Sequence, residues 1–193
     1  MSAFVYHTAL KRGAELKGAE ACQRAEARGS VVLVHDLLSG PLPSEFERCD
    51  VLYTDLPWRA GFKTFEARAG KAGRAYQDFM AAVSRVVQLR HKPIVLIGGK
   101  TEMRYLPACT VKPTVLNGDE AMAAIYGRLP RLDLTDSWSI LNSLVRHYQC
   151  VGDFCCGYGR AGRVFLRAGK QFVMSDYNAQ CVGFIATWLK EKP

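Results

Sequence analysis

Gly157-Tyr158-Gly159-Arg160-Ala161-Gly162 is the stretch that decides the fold. It follows an apolar run at residues 150–154 and opens a helical pattern over about residues 160–168. The next apolar run, at residues 172–175, ends at Asp176. Strand, glycine turn, helix and strand-ending acid predict a nucleotide-binding βαβ unit, because glycines let a ligand approach the backbone and the acid can accept ribose hydroxyls. The alternative is a tight turn whose glycines serve packing alone.

The position of this turn bears on the ligand. The pattern admits either NAD or S-adenosylmethionine. A dinucleotide fold needs further βαβ units after the first one to build its second half-site. Few residues follow Asp176, so the rest of the sheet has to come from earlier in the chain. This order argues against a standard NAD enzyme.

Other segments predict the rest of an α/β sandwich. Asn117-Gly118 lies between two strand-like runs, and both residues accept the positive φ of a hairpin turn. Further strands are predicted at residues 31–34, 51–54 and 94–97. Helices are predicted over residues 8–28, 76–89 and 137–148 and at the C-terminus, whereas residues 59–73 are predicted to be a flexible segment. We expect a mostly parallel sheet with an antiparallel hairpin at one edge. Residues 1–30 are predicted to be an N-terminal helical extension of a domain over residues 31–193.

Composition limits the class of protein. The chain has 193 residues, of which 49% are hydrophobic and 23% charged, and this balance excludes fibrous and disordered proteins. Seven cysteines without CxxC spacing, and histidines without ligand spacing, predict reduced cysteines and no metal. No apolar run predicts a signal peptide or a membrane span, so we expect a cytoplasmic protein without a membrane partner. The net charge of +8 favours a polyanionic partner, with a merely basic soluble protein as the alternative.

Two short motifs resemble those of one enzyme family. Asp153-Phe154-Cys155-Cys156-Gly157-Tyr158-Gly159 resembles the DPFCGSG cofactor loop of S-adenosylmethionine-dependent amino-methyltransferases that act on DNA. Asp55-Leu56-Pro57-Trp58 resembles their catalytic DPPY or DPPW tetrapeptide, and it also ends a predicted strand. The tetrapeptide precedes the loop, which is the circularly permuted order of the β-class enzymes. The resemblance covers roughly residues 31–189 and implies a Rossmann-like methyltransferase sandwich.

The resemblance also implies roles for individual residues. Asp55 and the Leu56 carbonyl would accept the two hydrogens of the target amine, and Trp58 would stack on a flipped base. Asp153 would bind the amino-acid end of the cofactor, and Asp176 its ribose diol. The remaining residues expected at the cofactor are Asp36 near the adenine, Ser137, Phe154, Cys155, Gly157 and Gly159. Ser137 is also a plausible helix N-cap.

Three departures separate this sequence from the family pattern. Leu56 replaces the first proline of the tetrapeptide and brings a backbone N–H that proline lacks. Phe154 and Cys155 stand where the loop usually has Pro and Phe. The stretch between Asn117-Gly118 and Ser137 is too short for the target-recognition domain that β-class enzymes usually insert there. We therefore expect a minimal enzyme with short or degenerate specificity, or a partner subunit that supplies recognition.

The segment at residues 59–74 is expected on the substrate side. It follows the tetrapeptide, interleaves two phenylalanines with basic residues, and contains several glycines. A flexible basic loop of this kind could clamp phosphates and stack on bases; the alternative is an ordinary solvated loop. The predicted nucleic-acid contacts are Arg59, Lys63, Arg68, Lys71 and Arg74.

The functional hypothesis is methylation of an exocyclic amine of a nucleobase with S-adenosylmethionine as cofactor. Adenine N6 in DNA is preferred, because cytosine-N4 enzymes of the family more often begin their tetrapeptide with serine. Methylation of RNA or of a protein amide is an alternative within enzymes. A cofactor-binding protein without catalysis is the alternative outside them.

Overall fold

An eight-stranded sheet forms the centre of the computed structural model, which describes residues 21–71, 73–89 and 91–190. The strands follow the spatial order β1-β2-β8-β7-β3-β4-β6-β5. Their bounds are β1 Arg24–Ala27, β2 Ser30–Val34, β3 Val51–Asp55, β4 Ile94–Gly98, β5 Thr110–Leu116, β6 Asp119–Tyr126, β7 Cys150–Asp153 and β8 Gln171–Asp176. The five central strands, from β2 to β4 in the spatial order, are mutually parallel. The predicted α/β class with a mostly parallel sheet is confirmed.

Both edges of the sheet are antiparallel. The predicted hairpin joins β5 to β6, with φ values of 55° at Asn117 and 90° at Gly118. At the other edge, β1 pairs antiparallel with β2. The predicted helix over residues 8–28 is therefore wrong at its described end, where Arg24–Ala27 is a strand; its first part lies outside the described residues. Gly29, with φ 72°, turns the chain between these strands.

Six α-helices flank the sheet in the described part of the chain. Their bounds are α1 Arg59–Arg68, α2 Tyr76–Leu89, α3 Lys100–Met103, α4 Ser137–His147, α5 Arg160–Arg167 and α6 Ala179–Lys190, and a 3₁₀ turn covers Ser44–Arg48. The flexible loop expected after Trp58 is thus helical over its first ten residues. Its Ala, Arg, Lys and Glu residues are strong helix formers. Phe62 fixes this helix to the core, with its ring centroid 5.2 Å from that of Tyr76.

The helices cover both faces of the sheet. Successive strand residues point to opposite faces, so Leu52 packs with the face covered by α1 and α2, and Tyr53 with the face covered by α4, α5 and α6. The connection from β3 to β4 therefore runs over one face, and the connection from β7 to β8 over the other. Between β3 and β7 the direction of winding reverses. Ligands of such sheets bind outside the carboxyl ends of the strands at that point.

Candidate active site

Two acids meet at this reversal point. Asp55 ends β3 and Asp153 ends the adjacent β7. The Thr54 hydroxyl donates a hydrogen bond of 2.9 Å to Oδ1 of Asp153 and accepts one of 3.2 Å from the Phe154 N–H. Thr54, the residue before the tetrapeptide, therefore joins β3 to the start of the glycine loop, almost a hundred positions away in the sequence.

The Asp55 carboxylate has two partners of different kinds. The Tyr53 hydroxyl donates to Oδ1 at 2.7 Å, and Nη1 of Arg160 lies 3.2 Å from Oδ2. Burial raises the pKa of Asp55, while the charge of Arg160 and the hydrogen bond from Tyr53 oppose that rise. About a quarter of the Asp55 side chain stays exposed. The carboxylate is therefore fixed by two partners and is still accessible from solvent.

The backbone of the tetrapeptide is tied to its surroundings on both sides. The Leu56 N–H, which a proline would lack, donates to the Ile97 carbonyl at 2.8 Å and prolongs the pairing of β3 with β4. The Pro57 carbonyl accepts a hydrogen bond of 3.1 Å from the Tyr76 hydroxyl. The Leu56 side chain is buried. Leucine in place of proline thus leaves no donor unpaired and adds apolar contact.

The glycine turn contains two glycines with different roles. Gly157 has φ 47°, and no atom of the described residues lies within 4 Å of the position that a Cβ would take; this leaves room for a ligand to approach its backbone. Gly159 has φ 74°, and a Cβ there would lie 2.8 Å from the Trp188 ring. The predicted ligand role fits Gly157, whereas packing against α6 explains Gly159.

Asp176 lies at the end of β8 and stabilises the turn. Its carboxylate accepts hydrogen bonds of 2.9 Å from the backbone N–H groups of both Gly157 and Asn178. Burial raises the pKa of Asp176 to about 6, although both hydrogen bonds favour the ionised form. Each carboxylate oxygen can accept a further hydrogen bond.

Asp153 is almost fully buried beside Asp55. Burial, followed by the charge of Asp55, raises the pKa of Asp153 to about 8. At neutral pH the folded protein therefore binds a proton at Asp153 that the unfolded chain, with an ordinary carboxyl pKa, releases.

This proton predicts a pH dependence of stability. A carboxyl whose pKa is raised on folding stabilises the protein most below its unfolded pKa, and the stability is lost as the pH rises towards the folded pKa. We expect the free energy of unfolding to fall between pH 5 and pH 8, and the fall to be about 3–4 kcal/mol smaller in Asp153→Asn. Urea denaturation at these pH values measures this, with the exposed Asp78→Asn as control. An unchanged pH dependence in Asp153→Asn would contradict the protonated state.

Asp36, which was predicted to contact the adenine, is bound by two basic side chains in the structure. Its Oδ2 accepts hydrogen bonds from Lys71, at 2.8 Å, and from Arg74. Arg74 also binds both oxygens of buried Glu66, at 2.6 and 2.8 Å, and its guanidinium lies over the Tyr177 ring. Asp36 is thus part of an ion network in which Lys71 and Arg74 bind carboxylates of the protein.

Three other predicted cofactor residues make contacts within the protein. Ser137 is buried, and its hydroxyl accepts a hydrogen bond of 2.7 Å from Arg160. The N-cap role predicted for Ser137 belongs to Asp136, whose carboxylate accepts a hydrogen bond of 2.7 Å from the Ser139 N–H. Phe154 is buried in the core beneath α1 and α2. Cys155 contributes its backbone N–H, 3.2 Å from Oδ1 of Asp153.

A groove of about 1160 Å³ opens beside the tetrapeptide. Trp58 lies at its wall, together with α1, α3 and the hairpin strands β5 and β6. Arg59 and Lys63 of the predicted basic set line it, and Lys100 faces it from α3. Arg68 is exposed but does not line the groove.

Sequence reasoning missed the residues that support this site. Arg160 belongs to the quoted glycine stretch, but its partners lie far away in the sequence. Thr54 and Tyr53 precede the tetrapeptide in the same strand, and only their polar groups inside an apolar run signal a role. Lys100 follows Gly98-Gly99 at the end of a strand, a position that predicts a place at the carboxyl edge.

Neither a metal cluster nor a membrane helix is found in the described ranges. Between residues 21 and 190, apart from positions 72 and 90, no group of three or more His, Cys, Asp or Glu side chains is arranged to hold a metal ion. The helices of the same ranges are too short or too polar to cross a bilayer.

The chain has the fold of M1.HpyAVI. The crystal structure of that protein superposes with a TM-score of 0.52 over 83% of this chain and 98% of the other, at 11% sequence identity. The crystal structure of the M1.HpyAVI-SAM complex gives 0.49 over 81% and 98%, also at 11% identity. No protein-family model matches the sequence, and no curated protein matches it either.

Proposed function

We propose that this protein transfers a methyl group from S-adenosylmethionine to the exocyclic amine of a nucleobase, adenine N6 in DNA. One observation carries the proposal: the Asp55 tetrapeptide and the Asp153 loop lie side by side at the reversal point of the sheet, joined through Thr54. The same order of motifs supports a circularly permuted, minimal member of the amino-methyltransferase family. The chain shares its fold with M1.HpyAVI, a protein that also forms a complex with SAM, and the proposed cofactor agrees with this.

The residues around the glycine turn fit the ribose and amino-acid ends of the cofactor. Open space at Gly157 admits a ligand to the backbone, and Asp176 retains acceptor capacity for ribose hydroxyls. Burial and the charge of Asp55 raise the pKa of Asp153, and the cationic amino group of the cofactor would lower it by favouring the ionised carboxylate. When bound, the cofactor supplies an electrophilic methyl group on a sulfonium.

The adenine moiety of the cofactor fits the structure less well than its ribose and amino-acid ends do. The crevice lined by Asp36, Phe154 and Tyr177 holds about 10 Å³, the space of a single water molecule, and Arg74 also lines it. An adenine at this place would require Arg74 to leave Asp36. The adenine contact first expected of Asp36 is therefore not part of the proposal.

The chain's own residues would act on the target amine by orientation. Asp55 and the Leu56 carbonyl are the acceptors for its two hydrogens, which aims the nitrogen lone pair at the methyl group. Trp58, at the wall of the groove, offers a ring on which a flipped base stacks. No covalent enzyme intermediate is needed.

The groove supplies the place for the nucleic acid on either side of the target base. The volume of the groove exceeds that of a typical pocket for a single ligand of the size of a nucleotide. Arg59, Lys63 and Lys100 give its rim three cations for phosphates. The nucleic-acid contacts thus come from the start of α1 and from α3, and not from Lys71 or Arg74.

A labelled-methyl assay tests the proposed function. Purified protein is incubated with tritiated S-adenosylmethionine and, separately, duplex DNA, single-stranded DNA, RNA and a mixture of proteins. We expect label in DNA, at adenine N6 after nucleoside analysis. If label appeared only in RNA or only in protein, that molecule and not DNA would be the substrate. Cofactor binding without any methyl transfer would identify a binding protein.

Cofactor affinity should depend on Asp176. Asp176→Asn keeps the shape of the side chain but removes the charge that strengthens hydrogen bonds to ribose. We expect binding of S-adenosylmethionine to weaken by about 1.5–3 kcal/mol in calorimetry, and no binding of NAD by the wild type. Exposed Asp78→Asn serves as the control. Tight binding of NAD would overturn the choice of cofactor.

A further inference from the structure

Arg160 has an unusual place for a cation. It is the first residue of α5, directly after Gly159, and the first turn of this helix contains no acid. The positive end of a helix dipole disfavours a cation there. The side chain is nonetheless largely buried, since only 15% of it is exposed. Something other than helix stability accounts for an arginine at this position.

The guanidinium connects three elements besides its own helix. It contacts Asp55 at the end of β3, the Ser137 hydroxyl at the start of α4, and the side-chain oxygen of Asn117 in the hairpin turn. Its carbon lies 5.3 Å from the centre of the Trp138 ring. A planar fork with five donors can serve several fixed acceptors at once, which a lysine ammonium cannot do with the same geometry.

We propose that Arg160 is the positioning residue of Asp55: it fixes the carboxylate towards the target amine and keeps it ionised. This inference rests on the proposed function for the identity of the amine. The titratable and charged groups that face Asp55 are Arg160 from α5, the Tyr53 hydroxyl from β3 and the Asp153 carboxyl from β7. Arg160 is the cation of this set.

Ionisation matters because of what Asp55 has to accept. An ionised carboxylate only accepts hydrogen bonds, whereas a protonated one presents an O–H donor towards the amine. Burial favours the protonated form, and the Arg160 charge favours the ionised one. The contact to Asn117 also connects Asp55 with the hairpin whose strands line the groove. Both the position and the charge of Asp55 thus depend on Arg160, in addition to the hydrogen bond from Tyr53.

The test compares three variants. Arg160→Gln removes the charge, Arg160→Lys keeps the charge but loses the fork, and Arg167→Gln changes an exposed arginine at the other end of the same helix. Two quantities are measured against pH: the rate of single-turnover methyl transfer to a mixed-sequence DNA oligonucleotide, and the ¹³C shift of the Asp55 carboxyl by NMR. The second needs no activity, so it separates this inference from the proposed function.

We expect the Asp55 midpoint, and the acid limb of the rate profile, to move up by about one pH unit or more in Arg160→Gln. Arg167→Gln should match the wild type in both. An unmoved midpoint in folded Arg160→Gln would overturn the inference, whether or not DNA is methylated. A moved midpoint without any transfer to DNA would leave it standing and count against the proposed substrate.

Arg160→Lys covers the case in which Arg160→Gln does not fold by circular dichroism. The ammonium preserves the charge, so the midpoint should stay within about half a pH unit of the wild type. The rate of transfer should fall at least about tenfold, since one point charge cannot fix both Asp55 and Asn117. A lysine variant with the wild-type rate would overturn the positioning role.

Discussion

Asp55→Ala and Asp55→Asn should lower the rate of methyl transfer by about 10²- to 10⁴-fold. This range is typical of losing one side chain that acts on a proton of the reacting group. Alanine removes both acceptors, and asparagine turns one of them into a donor facing the amine. The proposed cofactor contacts are on the Asp153 and Asp176 side, so cofactor affinity should change little. Single-turnover assays with tritiated S-adenosylmethionine, beside calorimetry of cofactor binding, separate the two effects.

The control for Asp55 must exclude a loss of fold. Asp55→Ala leaves Arg160 without its carboxylate, which costs stability, whereas Asp55→Asn retains an acceptor for it. Thermal melting of both variants therefore accompanies the assay, and exposed Asp78→Ala should keep the wild-type rate. A folded Asp55→Asn protein with wild-type turnover would show that the tetrapeptide is structural.

The two motifs could be predicted from sequence because each is short and ends a strand. The strand at residues 51–54 and the turn at Gly157 are local patterns, and parallel strands bring their carboxyl ends to one edge. What the sequence could not supply was the partner of each side chain. Asp36 was assigned to adenine because nothing nearby in the chain indicates its pairing with Arg74.

The segment after Trp58 was predicted incorrectly for a different reason. Gly61 and Gly70 suggested a flexible loop, but the packing of Phe62 against Tyr76 and Phe79 stabilises a helix there. Tertiary packing overrides the weak local preference of one glycine. The helix changes the functional reading, since it turns Arg59 and Lys63 into the groove. Lys71 and Arg74, beyond its end, are directed to Asp36.

Charge reversal in the groove should have the second large effect. In Lys63→Glu/Lys100→Glu, each lost phosphate contact costs on the scale of a hydrogen bond to a charged group, so DNA affinity should fall about 100-fold. The slope of log affinity against log salt should become shallower by about 0.9 per contact on a duplex. The affinity for every DNA sequence should fall by a similar factor, because phosphate contacts carry no information about the bases. Fluorescence anisotropy over a salt series measures both quantities.

Two controls distinguish the groove from the basic segment first predicted by sequence. Exposed Arg85→Glu, on α2, changes the net charge equally per substitution but lies away from the groove. Lys71→Gln removes a cation that binds Asp36. If Lys71→Gln flattened the salt dependence as much as the groove variant, the phosphates would lie along the segment after α1. A groove variant with wild-type affinity and slope would exclude the groove as the nucleic-acid interface.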